Sequence, residues 1–101
     1  MAIDVEWQDE RGERVARYDG PPIDGRLPEH APPESSCLRF IDPYGDTTFN
    51  ATQITALEEE LASIKSGDGD DGGVARQAES LLAFIRRFDD RTHRYLKFIG
   101  D

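Results

Sequence analysis

Cysteine occurs once in the 101 residues, at Cys37, which excludes an internal disulfide and leaves no thiolate pair for a structural metal. A lone thiol suits a reducing compartment, so cytoplasmic residence is the expectation. No apolar stretch approaches the ~20 residues needed to span a bilayer. The opening, Met1-Ala2-Ile3-Asp4-Val5-Glu6-Trp7, has neither the basic start nor the continuous apolar run of a secretion signal. Positive charge is scarce: 12 Lys and Arg face 21 Asp and Glu, for a formal net charge of −9. A field of that sign repels phosphate backbones and anionic lipid heads, which argues against nucleic-acid and membrane-surface partners, and it steers basic proteins at long range. No glycine-rich loop ending in Lys-Ser or Lys-Thr opens a helix, so no nucleotide site is read and no other cofactor is expected.

The acidity is uneven. Residues 1–36 hold nine acids against four arginines, whereas residues 67–101 hold seven acids against six cations. At 37% hydrophobic and 33% charged, the composition is polar but still contains distinct apolar clusters, and the expectation is one domain over residues 1–101. Ile3, Val5 and Trp7 alternate with Asp4, Glu6 and Gln8, the period of a strand with one buried face. A second strand over Glu13–Tyr18 follows the polar turn Asp9-Glu10-Arg11-Gly12, with Trp7 expected opposite Arg14, Val5 opposite Ala16 and Asp4 opposite Arg17. Residues 19–36 read as a proline-rich loop anchored by Ile23 and Leu27.

Cys37–Ile41 reads as a third strand, with Leu38 and Phe40 on the covered face. Arg39 and Ile41 then fall on the other face with Tyr95, Lys97 and Ile99. Asp42-Pro43-Tyr44-Gly45 reads as a type I turn with a left-handed Gly45, from which Thr47-Thr48-Phe49 returns antiparallel. Asn50 and Gln53 form a capping-box pair at the start of a helix that buries Ile54, Leu57, Leu61 and Ile64, with Glu58, Glu59 and Glu60 mostly on its wet side. The Gly/Asp-rich connector at residues 67–73 stops that helix. Val74, Ala78, Leu81, Leu82, Ile85 and Phe88 then mark a second helix, over residues 73–89. Tyr95, Leu96, Phe98 and Ile99 close the chain as a strand interior to the sheet. The expected fold class is α+β in two layers. A mainly antiparallel sheet of about five strands, with elements in the order ββββααβ, is covered on one face by an antiparallel helix pair.

The sharpest motif is the loop between the helices. With Asp68 as position one of a calcium-binding loop, Asp70, Gly73 and Glu79 fall at positions three, six and twelve, while Gly72 and Ala75 depart from the pattern. The alternative is a solvated connector without a ligand, and no metal is assigned. His30 and His93 have no spacing that would join them on a metal, and Cys37 lacks the basic neighbour of an activated nucleophile. No catalytic residue is read, although a small enzyme using acids of the proline loop remains an alternative. What stands out is surface chemistry: Tyr44 lies between Asp42 and Asp46, near in sequence to an acidic hairpin and an acidic proline loop. Tyr44, Asp42, Asp46, Glu6, Asp9, Glu10 and Asp24 are therefore the expected partner-binding residues, on the view that carboxylates around an aromatic anchor suit a basic protein. The bland counterpart is that these acids only keep the chain soluble. A mixed sheet face around Ile41, Tyr95 and Ile99 leaves monomer and weak homodimer both open.

The segments IDPYGDTTFN (residues 41–50) and HRYLKFIGD (residues 93–101), with the size, acidity and layout of the chain, resemble small bacterial proteins of the compact, acidic immunity or antitoxin type that accompany bacterial toxins. The resemblance implies a non-enzymatic cytoplasmic inhibitor that covers the working surface of a basic toxin. It carries no functional residue over to this chain.

Overall fold

The alternation of β1 (Ala2–Gln8) places Ile3, Val5 and Trp7 in the core, each at most 3% exposed. The computed structural model describes residues 2–31, 33–64, 73–87 and 94–100, and the fold is α+β, an open antiparallel sheet with two main helices. β1 pairs antiparallel with β5 (Tyr95–Ile99), Val5 facing Phe98 and Trp7 facing Leu96. β4 (Asp46–Phe49) lies outside β5, with Phe49 opposite Leu96. β5 is therefore interior to the sheet, between β1 and β4, with Leu96 and Phe98 on its buried face. On the other side of β1 sit β2 (Arg14–Arg17) and β3 (Ile23–Asp24), both antiparallel to it.

Three expectations about the first half need correction. The hairpin register has Trp7 facing Ala16 and Gln8 facing Arg14, with an irregularity between Trp7 and Gln8. The cause is the turn: the Asp9 carboxylate accepts from the Arg11 and Glu13 amides at 2.9 and 3.0 Å, and Gly12 is left-handed at φ 81°. Asp9 and Glu13 thereby close the hairpin, and Val15 is left outside at 44% exposed. The Asp4–Arg17 pair still forms at 3.7 Å, although Arg17 faces Glu6 in the ladder. Second, the proline-rich stretch carries β3 and the one-turn helix α1 (Arg26–Glu29), with Ile23 and Leu27 buried as its anchors. Third, Cys37–Ile41 is not a strand. Leu38–Phe40 form a 3-10 turn, which buries Leu38 and Ile41 and leaves Phe40 at 55% exposed. A three-residue repeat puts positions 38 and 41 on one side, where a strand would have paired 38 with 40. The third strand is thus β3, and β4 returns against β5 rather than against residues 37–41.

α2 (Ala51–Ser63) starts on the expected capping box: Asn50 Oδ1 accepts from the Gln53 amide at 3.0 Å, and the Asn50 amide donates to Gln53 Oε1 at 2.9 Å. It buries Ile54, Leu57 and Leu61, and Ile64 is its half-buried C-cap. α3 (Val74–Arg87) buries Val74, Ala78, Leu81, Phe84 and Ile85, whereas Phe88 lies outside the described residues. Tyr18 meets Phe84 edge-on at 5.5 Å and Phe49 meets Phe98 at 5.7 Å, joining sheet and helices in one core. Among the described residues no helix is long and apolar enough to cross a membrane.

A candidate protein-docking surface

The segment from Ser35 to Asp46 is held from several directions. Glu60 of α2 reaches across to its start: Oε1 accepts from the Leu38 and Cys37 amides at 2.7 and 3.2 Å, and Oε2 from the Ser36 amide and hydroxyl at 2.9 and 3.1 Å. One carboxylate thus satisfies the first donors of the 3-10 turn, as a helix cap would. Burial pushes the Glu60 carboxyl upward, but the Leu38, Ser36 and Cys37 donors outweigh it, and the group stays below its ordinary range. Glu60 is therefore not part of the wet side of α2. Arg39 donates from Nε to the Ser35 carbonyl at 2.8 Å, and its guanidinium stacks 4.4 Å above the Phe40 ring.

The following turn is equally constrained. Asp42 Oδ1 accepts from the Tyr44 amide at 2.8 Å, and the Asp42 amide donates to Thr47 Oγ1 at 3.0 Å. Gly45 does not have the expected positive φ, which among the described residues belongs to Gly12 and Gly73. What its neighbourhood requires is close approach: the Gly100 amide donates to the Gly45 carbonyl at 2.7 Å. On this fixed loop Tyr44 is 69% exposed and Phe40 55% exposed.

Tyr44 borders a groove of about 360 Å³ lined by Asp24, Gly25, Arg26, Glu29, Pro43 and Tyr44. Asp24 is committed within the chain. Its carboxylate meets Arg26 Nη2 at 2.7 Å and Nε at 3.3 Å, the Arg26 amide at 3.0 Å and Gln77 Nε2 at 3.2 Å. The Arg26 guanidinium above all holds the Asp24 carboxyl down to about 2. Gln77 Oε1 accepts from the Asp24 amide at 3.1 Å, which ties β3 to α3.

The seven expected binding residues do not make one patch. Tyr44 and Asp42 share the turn, Asp24 lines the same groove, and Asp46 follows at the start of β4, 3.5 Å from Lys97. Glu6 sits on the outer sheet face, where its carboxylate accepts from Gln8 Nε2 at 2.6 Å and lies 3.9 Å from Arg14. Asp9 and Glu10 belong to the hairpin turn. They lie beyond Gln8, whose partner is Tyr95, whereas Asp4 at the other end of β1 faces Ile99, itself paired with Asp46. Asp9 lies five residue steps beyond Asp4, about 17 Å along an extended chain. The Asp9 carboxyl is held low by its bond from the Glu13 amide. The uncovered sheet face is laced with opposite charges, Asp4–Arg17, Glu6–Arg14 and Asp46–Lys97.

No protein family, curated protein or solved structure matches this chain. Cys37 is buried, its thiol is pushed up by that burial, and it donates to the Gln53 carbonyl at 3.4 Å; a thiol so placed is packing rather than a nucleophile. His30 Nδ1 lies 2.8 Å from the Arg26 carbonyl, while His93 lies outside the described residues. Among the described residues no three His, Cys, Asp or Glu side chains gather as a metal site. Asp68, Asp70 and Gly72 of the calcium-like loop lie outside the described residues. Gly73 and Glu79 are described, but α3 begins at Val74, so the carbonyl at position seven enters the helix ladder.

Sequence reasoning missed Phe40, Pro43 and Glu60 as parts of the site, while Glu29 was among the proline-loop acids expected around the aromatic anchor. Phe40 was hidden because Cys37–Ile41 suits both a strand and a short helical turn. The legible signal for the turn was Ser35-Ser36, capping residues placed just before an i, i+3 apolar pair.

Proposed function

We propose that this chain is a non-enzymatic, acidic protein-binding module of the immunity-inhibitor type, which docks a basic partner protein through the Phe40–Tyr44 loop. The observation that carries the reading is the conjunction of rigidity and exposure. The loop is tied to α2, β4 and the residue after β5, yet it displays the two most exposed large hydrophobic side chains described in the chain. Aromatic groups already held in place add contact area at little entropic cost, which is the character of an interface hot spot. Asp42 beside Tyr44 and the net charge of −9 favour a cationic partner and speed its encounter. Inhibition needs nothing more than covering that partner's basic surface.

The test is a fluorescence-anisotropy titration with a labelled peptide of mixed Arg, Lys and Gly. The variant Phe40→Ala/Tyr44→Ala is expected to bind about tenfold more weakly. Glu10→Gln/Glu13→Gln removes two charges at the far hairpin and should change affinity less than about twofold. Equal losses in both variants would reduce the interaction to bulk charge. Full affinity without the two aromatic rings would remove the docking loop from the account.

A further inference from the structure

We infer that the groove beside Tyr44 takes one arginine side chain of the basic partner. This rests on the docking reading and names the group that the reading leaves open. At about 360 Å³ the groove stands at the small end of ligand pockets, which run from roughly 300 to 1,000 Å³, so a single long side chain fits it better than a cofactor. Pro43 and Tyr44 offer apolar lining for an aliphatic stem, and Gly25 lies close beside Pro43 in the same lining. Of the charged groups in the lining, Asp24 and Arg26 neutralise each other at 2.7 Å. Glu29 is exposed and adds an uncompensated negative charge, while Asp42 at the Tyr44 turn adds another nearby. The local field is therefore cationic-seeking even though Arg26 is present.

Arginine is favoured over lysine by geometry. A planar guanidinium can lie on the Tyr44 ring and present two parallel N–H groups to the Glu29 carboxylate, whereas an ammonium keeps its water and meets the ring as a point charge. The chain already stabilises one such stack in the open, Arg39 over Phe40 at 4.4 Å. Gly25 provides a way to narrow the groove at Pro43 without disturbing the backbone. Its φ of −63° and ψ of −13° suit any residue, and a β-carbon there would touch Pro43 Cβ at 3.4 Å, an ordinary contact.

The experiment is a nitrogen-15 NMR titration of the full chain with acetyl-Gly-Arg-Gly-amide and with its lysine counterpart. Shifts are expected at the amides of residues 24–27, Glu29, Tyr44 and Gly45, with the arginine peptide binding about fivefold tighter. Glu29→Gln and Gly25→Ala should each weaken the arginine peptide by about fivefold, while leaving the spectrum dispersed and the Tm unchanged. Equal binding of the two peptides, or shifts that avoid these residues, would overturn the arginine assignment. The docking reading fails separately: it falls if the Phe40→Ala/Tyr44→Ala variant keeps full affinity for the longer basic peptide, or loses no more of it than Glu10→Gln/Glu13→Gln does. Silence of the groove with loss in that variant leaves the loop as the docking element and rejects the groove.

Discussion

The Gly100 amide donates to the Gly45 carbonyl at 2.7 Å, which pins the Tyr44 turn to the residue that follows β5. A β-carbon on Gly100 would come within 2.5 Å of the Gly45 nitrogen, 2.6 Å of its oxygen and 2.7 Å of the Asp42 oxygen. These are backbone atoms, so the clash is relieved only by parting the turn from the strand. Gly100→Ala should lose about 1–3 kcal/mol, read as a lower midpoint in urea denaturation followed by the fluorescence of Trp7, the single and buried tryptophan. The same variant should bind the basic peptide more weakly than its stability loss explains, because the turn is no longer fixed.

Phe40 and Ile41 separate the 3-10 turn from a strand. Phe40→Ala removes an exposed ring and is expected to change stability by less than about 0.5 kcal/mol. Ile41→Ala opens the core and should cost about 2–4 kcal/mol. Urea denaturation of the two variants checks this; the reverse ranking would restore a strand over residues 37–41.

Glu60→Ala strips the acceptor from the Ser36, Cys37 and Leu38 amides. Hydrogen bonds to a charged acceptor contribute about 1.5–3 kcal/mol each when sheltered, but water reaches part of this site, and the expected total is about 2 kcal/mol. The Glu60 carboxyl is lowered from an ordinary 4.5 in the folded chain. Its stabilisation is accordingly complete above pH 4.5 and disappears as pH falls through the lowered folded value. Glu60→Gln should therefore flatten the wild-type decline in Tm below pH 4.5, measured by thermal denaturation across an acid series.

Asp24 follows the same sign with a wider window. Its folded value is about 2 against an ordinary 3.8, so its contribution is full above pH 3.8 and fades between 3.8 and 2. Because Arg26 remains half in solvent, the stability at stake is held below about 1 kcal/mol. A carbon-13 titration of the Asp24 carboxyl should show it ionised at pH 3, and Arg26→Ala should raise its midpoint toward the ordinary value.

The correct parts of the sequence reading share a cause. Val5 and Trp7 alternate with acids, Asn50 meets Gln53 three positions on, and Leu81 and Ile85 recur at helical spacing. Each pattern is a local preference that packing then reinforced. The hairpin register was misread because of a local turn at Asp9 and Gly12, whereas the other misread parts depend on partners far along the chain. Glu60, which sets the conformation of residues 36–38, lies 22 positions from Leu38, and Gln77, which ties down Asp24, lies 53 positions away. Tyr44 was legible as an exposed aromatic because aspartates flank it, whereas the groove beside it joins Glu29 and Pro43 from separate segments.

By itself the amino-acid sequence determined the α+β class, the helix start at Asn50, the buried faces of β1, α2 and α3 and the acidic balance, because these follow from periodicity, capping and charge within a few residues. Only the tertiary structure decided that Phe40 faces solvent, that Glu60 is an internal cap and that the acids divide between the two ends of β1. Those outcomes turn on which distant donor, acceptor or cation each side chain meets, and burial in a shared core is what brings them together.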